Sequence, residues 1–256
     1  MKLDDIRISR AIIERFSAKL LDALESDVAI VGGGPAGLAA AYYLASAKKK
    51  VVLFERRLSV GGGMWGGGIM FNEIVVQRDG KAVLDELGVR ADEVGDGYFC
   101  ADSVETVSTM CSRAVKAGAR IFNLMSIEDV MMADGKVTGL VINWSAVELA
   151  SLHVDPVTVR TKFVIDASGH AAEIAHVIED MEYKLLTPSG KIMGEKHMDA
   201  EMGERMILEN TKQFFPNVYA AGMACNAIFG APRMGPVFGG MLMSGKKVAE
   251  LVLKRL

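Results

Sequence analysis

Three short stretches of this chain carry residue types that do chemistry when they meet. His153 and Asp155 stand in Ser-Leu-His-Val-Asp-Pro, and His170 closes Asp-Ala-Ser-Gly-His fifteen residues beyond Asp155. Carboxylate and imidazole together suit a divalent first-row metal such as Fe(II). Two ligands are too few for a closed structural site. A metal here would keep open positions for catalysis, filled by substrate or by another subunit. The competing reading is a pair of hydrogen-bonded structural residues, with Asp155-Pro156 as a turn. Arg233 is the lone charge in Gly-Ala-Pro-Arg-Met-Gly-Pro-Val-Phe-Gly-Gly. Its guanidinium either clamps a substrate carboxylate through paired N–H groups or meets an acid distant in sequence.

A fourth stretch says what the first three would work on. An apolar run, Val28 to Val31, feeds Gly32, Gly34 and Gly37 at G-x-G-x-x-G spacing; a second apolar run, Val51 to Phe54, ends in Glu55. Gly32 permits the strand-to-helix turn, Gly34 lets backbone approach a pyrophosphate, and Gly37 lets helix and strand pack closely. The helix after the turn offers N–H groups and its positive dipole end to phosphates. Glu55, eighteen residues past Gly37, is placed to accept hydrogen bonds from the adenosine ribose. The chain is expected to bind an ADP-containing dinucleotide.

The elements that must position these residues are readable in outline. Helical spacing of Ile12, Ile13, Phe16, Leu20, Leu21 and Leu24 predicts an amphipathic helix over 8–24, covering the core or a neighbouring subunit. The glycine cluster 61–68 reads as a loop passing close to a ligand or as a lid, with Met64 and Trp65 its bulky covers. A helix over 103–117, a strand over 119–124, a hairpin from 127–132 and 137–143, and a strand over 157–166 follow. Asn217–Met223 reads as a short strand entering a loop, and 244–254 as the last helix. We expect one α/β domain over 1–256 with a Rossmann-like fold and an inserted β-hairpin layer.

Composition narrows the partners. With 29 basic and 32 acidic residues spread along the chain, no electrostatic footprint for nucleic acid or an anionic membrane is expected. No apolar stretch reads as a membrane span or a targeting segment. Cys100, Cys111 and Cys225 have no metal-type spacing and are odd in number, which points to a reducing, cytoplasmic setting. His176 and His197 read as structural or solvated, and Cys225 as near the pocket.

The order of parts resembles the two-dinucleotide-binding flavoprotein superfamily. Its flavin enzymes carry Asp after the late strand's glycine, to hold the flavin's ribityl-phosphate region; Met223 stands there instead, and argues against FAD. The set Gly-Gly-Gly-Pro-Ala-Gly-Leu, Glu55-Arg56, GGGMWGGGIMF, H-x-D-P, D-A-S-G-H and R-M-G-P-x-F-G-G resembles the thiamine thiazole synthase family from about residue 8 to the end. The resemblance implies that NAD is a substrate. Its ADP-ribose part is condensed with glycine and sulfur into an adenylated 5-(2-hydroxyethyl)-4-methylthiazole-2-carboxylate, and nicotinamide leaves.

It also implies roles. Ala36, Glu55, Arg56, Gly63, Ile127 and Met223 would contact the nucleotide, Arg233 the glycine carboxylate, and Asp155 and His170 the iron. The His153–Val154–Asp155 segment would reach a neighbouring subunit's site, within a homo-oligomer expected to be an octamer. Eukaryotic members carry at position 153 a cysteine that gives up its own sulfur. His153 makes this chain similar to archaeal members, which take sulfide from solution and turn over repeatedly with Fe(II). His153 or His170 would shuttle protons. Three other readings are a flavin-dependent oxidoreductase, a non-catalytic NAD or thiazole binder, and a related rearrangement of an ADP-ribose-type substrate.

Overall fold

A computed structural model describes residues 2–256. The Asp4 carboxylate caps the first helix, α1 (Asp5–Ala23), accepting the Ile6 and Arg7 N–H groups at 2.9 and 3.1 Å. The helix starts three residues ahead of the expected span, and its apolar stripe points outward. Ile6, Ile12, Ile13 and Leu21 are exposed, Phe16 meets Phe122 edge-on, and only Ala23 is buried. Only the end of the stripe covers this chain's core, where Leu20 and Leu24 pack against it beside Phe16; the rest faces away.

β1 (Glu25–Val31), α2 (Pro35–Ser46) and β2 (Val51–Glu55) form the βαβ unit that the glycine spacing predicts. Val28, Ile30, Val51 and Leu53 face one apolar cluster; Ala29, Val31, Val52 and Phe54 face the other. Burial on both sides is the reason these runs are continuously apolar, as in other parallel sheets. The glycine loop that follows holds a single 3₁₀ turn, Gly62–Gly66. Met64 is fully buried there, while the Trp65 indole N–H donates to the Val60 carbonyl at 2.6 Å.

The next elements were not anticipated, except for the helix that ends them. β3 (Glu73–Gln77), α3 (Arg78–Leu87), β4 (Asp92–Gly95) and β5 (Tyr98–Asp102) lead into α4 (Ser103–Ala117), and the three strands make a small antiparallel sheet, order β3-β5-β4. β3 and β5 alternate in burial, with Ile74 and Val76, and Phe99 and Ala101, turned inward, but apolar Val75 and Cys100 between them hide the alternation in the sequence, and β4 buries nothing. By contrast α4 runs over the expected residues, its start capped by Asp102 and its end closed by Gly118.

The chain then returns to the main sheet through β6 (Arg120–Asn123), the hairpin β7 (Met125–Ala133) and β8 (Lys136–Trp144), the short α5 (Ser145–Leu149), and β9 (Val157–Asp166). Beyond β9 come α6 (Glu173–Asp180), β10 (Lys196–Met198), α7 (Ala200–Asn210), β11 (Gln213–Phe215), β12 (Val218–Ala220), α8 (Met223–Phe229), β13 (Pro232–Arg233) and α9 (Gly239–Leu253). The main sheet runs β11-β12-β9-β1-β2-β6. β9 divides its edge between two partners. Val157–Arg160 pairs antiparallel with the hairpin strand β8, and Val164–Asp166 pairs parallel with β12.

The last helix begins at Gly239, five residues before the expected Ser244. Two glycines argue against helix by propensity, but tertiary contacts require them. The Gly240 N–H donates to the Glu204 carboxylate at 2.7 Å, and a Cβ at Gly240 would lie 2.7 Å from Ile207. Further along, a Cβ at Gly245 would stand 2.4 Å from the Ala36 carbonyl oxygen, so α9 lies directly on the first turn of α2. Among the described residues no helix is long and apolar enough to cross a membrane.

Candidate functional site

The carboxyl ends of β1, β2 and β9 open into one cavity of about 610 Å³, closed by the glycine loop on one side and the 233–241 segment on the other. Ligands of open α/β sheets bind at this end of the strands. Gly32 turns the chain at φ +95°, and a Cβ there would sit 2.4 Å from the Ala167 carbonyl oxygen. At Gly37 a Cβ would be 2.0 Å from the Gly32 carbonyl oxygen. Gly37 therefore holds helix against strand from behind the cavity wall and does not line it. Around Gly34 the space is open, and α2 has no side-chain cap, so backbone N–H groups remain for a phosphate.

Glu55 ends β2 almost wholly buried. Its Oε2 accepts the Gly33 N–H and its Oε1 the Arg57 N–H, each at 2.8 Å. The acid thus ties the glycine turn to the chain leaving β2, with further lone pairs free for ribose hydroxyls. Beside it, the Arg56 Nη1 lies 2.8 Å from the Glu173 Oε1 at the start of α6. Burial pushes the Glu173 carboxyl above the ordinary glutamate value, and the Arg56 charge opposes that rise. Glu173 lines the cavity and no motif announced it.

His170 is held by the loop after β9. Asp166, fully buried, accepts from the Ser168 hydroxyl at 2.6 Å and from the Ser168, Ile174 and Ala175 N–H groups at 3.1, 3.0 and 3.3 Å. Burial raises the Asp166 carboxyl while these bonds favour its ionised form. The same carboxylate therefore shapes the 166–170 loop and caps α6. The His170 ring is 57% exposed, with Nδ1 2.6 Å from the Glu195 Oε1. A carboxylate opposite assigns the proton to Nδ1 and leaves the Nε2 lone pair free. The other oxygen of Glu195 stands 3.8 Å from the Arg233 Nε. Of the two readings of Arg233, a distant acid is present, yet the contact is loose and the guanidinium stays 60% exposed.

Gly32, Gly34, Ala36, Glu55, Arg56 and Gly63 line the cavity, and so do Ile127, His170, Met223 and Arg233. His153, Val154 and Asp155 do not. They lie exposed ahead of β9, tethered by the Asn143 side chain donating to the Val154 carbonyl at 3.1 Å, while His170 follows the other end of that strand. Among the described residues no three His, Cys, Asp or Glu side chains gather as a metal site. One chain fits a metal only through His170, a ring oriented by a carboxylate with one nitrogen free. The expected pairing of Asp155 with His170 is not made within the chain. Cys225 is near the cavity but not on its wall. Burial pushes its thiol up to about 12, against the opposing contacts of the Thr211 and Ser244 hydroxyls. His176 and His197 are exposed and outside the cavity.

A mostly parallel sheet with a glycine turn after its first strand, and a cavity across its carboxyl ends, defines an α/β protein of the dinucleotide-binding type. Comparisons narrow the class. The Thi4 family pattern matches residues 9–238. A thiamine thiazole synthase from Methanothermobacter thermautotrophicus is 61% identical over the whole of both chains, and one from Pyrococcus furiosus 51% identical over 99% of each. The crystal structure of Thermovibrio ammonificans THI4 superposes with a TM-score of 0.95 at 51% identity, covering 100% of this chain and 99% of that one. The chain belongs to the Thi4 family.

Proposed function

We propose that this chain is a sulfide-dependent, Fe(II)-requiring thiazole synthase. It would convert NAD, glycine and external sulfide into the adenylated thiazole carboxylate, releasing nicotinamide over many turnovers. The observation that carries the reading is the placement of His170 and Arg233 on the same cavity wall as the dinucleotide turn. Relatives named thiamine thiazole synthase, matched along their full length, support it. A guanidinium beside the dinucleotide suits a co-substrate that carries a carboxylate, as glycine does.

In this reading the glycine turn and the α2 N-terminus hold the pyrophosphate, and Glu55 and Arg56 hold the adenosine side. Arg233 fixes the glycine carboxylate so that its amine faces the carbonyl that the sugar presents once nicotinamide has left and its ring has opened. His170 presents Nε2 to the same space, and His153 or His170 moves protons during enolisation and dehydration. Iron, when bound, supplies Lewis acidity for carbonyl oxygens. Its second protein ligand, Asp155, comes from a neighbouring chain. The exposed segment before β9 and the exposed stripe of α1 are the surfaces that assembly would use. His153 has no sulfur to give, so the sulfur comes from solution. Met223 at the start of α8 leaves a flavin without its usual acidic partner, which disfavours the oxidoreductase reading.

The test is anaerobic incubation with NAD, glycine, sulfide and Fe(II). Adenylated thiazole should accumulate beyond one equivalent per chain, with every cysteine intact by mass spectrometry. A stop at one equivalent with a dehydroalanine would overturn the external-sulfide route. No thiazole at all, with nucleotide still bound, would favour a non-catalytic binder, and a flavin absorption band would favour the oxidoreductase.

A further inference from the structure

Glu195 belongs to no recognised motif, yet its carboxylate touches both His170 and Arg233. Its position is built into the backbone. Residues 193–199 run alongside 227–233, with the Met193, Gly194, Lys196 and Asp199 N–H groups each donating at 3.0 Å to carbonyls of Ile228, Ala227, Ala231 and Arg233. β10 and β13 pair within this run. The Glu195 side chain is 17% exposed, so a well-fixed carboxylate stands between two freer partners. The contacts are unequal: 2.6 Å to the imidazole is a short hydrogen bond, while 3.8 Å to the guanidinium is an ion pair without one.

We propose that Glu195 is a positioning residue with two opposed effects on the reaction inferred above. It fixes His170 in the Nδ1–H tautomer, and it competes with the substrate's carboxylate for Arg233. The proposal rests on the reading of Arg233 as the glycine clamp. A second carboxylate approaching the same guanidinium meets the charge of Glu195, so that charge weakens glycine binding while the hydrogen bond it accepts from His170 favours turnover. A merely structural residue would not separate the two.

Glu195→Gln keeps the shape and removes the charge; Glu195→Ala removes both. The KM for glycine should fall roughly 3- to 10-fold in each, as expected for losing one nearby like charge. Turnover should fall as well, by about 10-fold or more in Glu195→Ala, where the hydrogen bond to the imidazole is lost. The Ki of acetate, which has the carboxylate without the amine, should fall along with the glycine KM. Nitrogen NMR of histidine-labelled protein, read without turnover, should show His170 as Nδ1–H in the parent and lose that preference in Glu195→Ala. An unchanged or higher glycine KM in both variants overturns the competition, and an unchanged His170 tautomer overturns the orienting role. If the parent makes no thiazole, the reading of the reaction fails, and the NMR comparison still decides whether Glu195 holds His170.

Discussion

Glu173 and Cys225 show how burial sets the behaviour of single groups around the cavity. The Glu173 carboxyl titrates above its ordinary value because it is buried, although Arg56 opposes the shift. The folded chain therefore holds that proton more tightly than the unfolded chain does. The stability this contributes is fully present below the unfolded value near 4.5, and it is lost as pH rises through the raised folded value. As pH rises from about 4, the parent should lose stability relative to Glu173→Gln until the raised folded value is passed, seen as a drift in the difference of their melting temperatures. Parallel curves would refute it. Cys225, with its thiol pushed up to about 12 and no exposed surface, should resist alkylation in the native protein at pH 8, while Cys100 and Cys111, partly exposed, react. Peptide mapping before and after denaturation reads this directly. The residues legible in sequence were those that a local motif carries: Gly32 and Glu55 in the dinucleotide spacing, and His170 at the end of Asp-Ala-Ser-Gly-His. Glu173 and Glu195 were not, because each matters only through a contact made across the fold.

At the scale of elements, legibility followed length and burial. The βαβ unit, α4, the hairpin and β9 carry long, regular apolar patterns, and all appear where their periodicity puts them. In the β3-β5-β4 sheet apolar Val75 and Cys100 stand between the buried residues and mask the alternation, and the start of α9 hides behind glycines that propensity scores as breakers. Those glycines record a crossing too close for side chains. Gly245→Val would push α9 off α2, because its Cβ would lie 2.4 Å from the Ala36 carbonyl oxygen and 2.7 Å from the Ala39 Cβ. Overpacking of this kind should cost about 2 kcal/mol or more. Because Ala36 also lines the cavity, NAD affinity should fall with stability. A melt combined with a nucleotide titration checks both, and a variant with normal affinity would show that the crossing does not position the turn.

At the scale of the molecule, the described chain has its nucleotide turn complete and its proposed metal ligands apart. Mixed assembly tests whether copies complete each other. Asp155→Ala and His170→Ala chains, each inactive alone, should regain thiazole formation when unfolded and refolded together, since some sites then receive both native ligands. Failure of the mixture, with assembly intact by light scattering, would place both ligands in one chain. The geometry behind this expectation is β9 itself. Its ten residues, at about 3.3 Å each, keep the two ends roughly 30 Å apart. Asp155 precedes one end and His170 follows the other, so the strand acts as a fixed spacer that keeps a chain's own carboxylate away from its own imidazole. Specific activity should accordingly decline on dilution below the dissociation constant of the assembly while the fold of each chain persists.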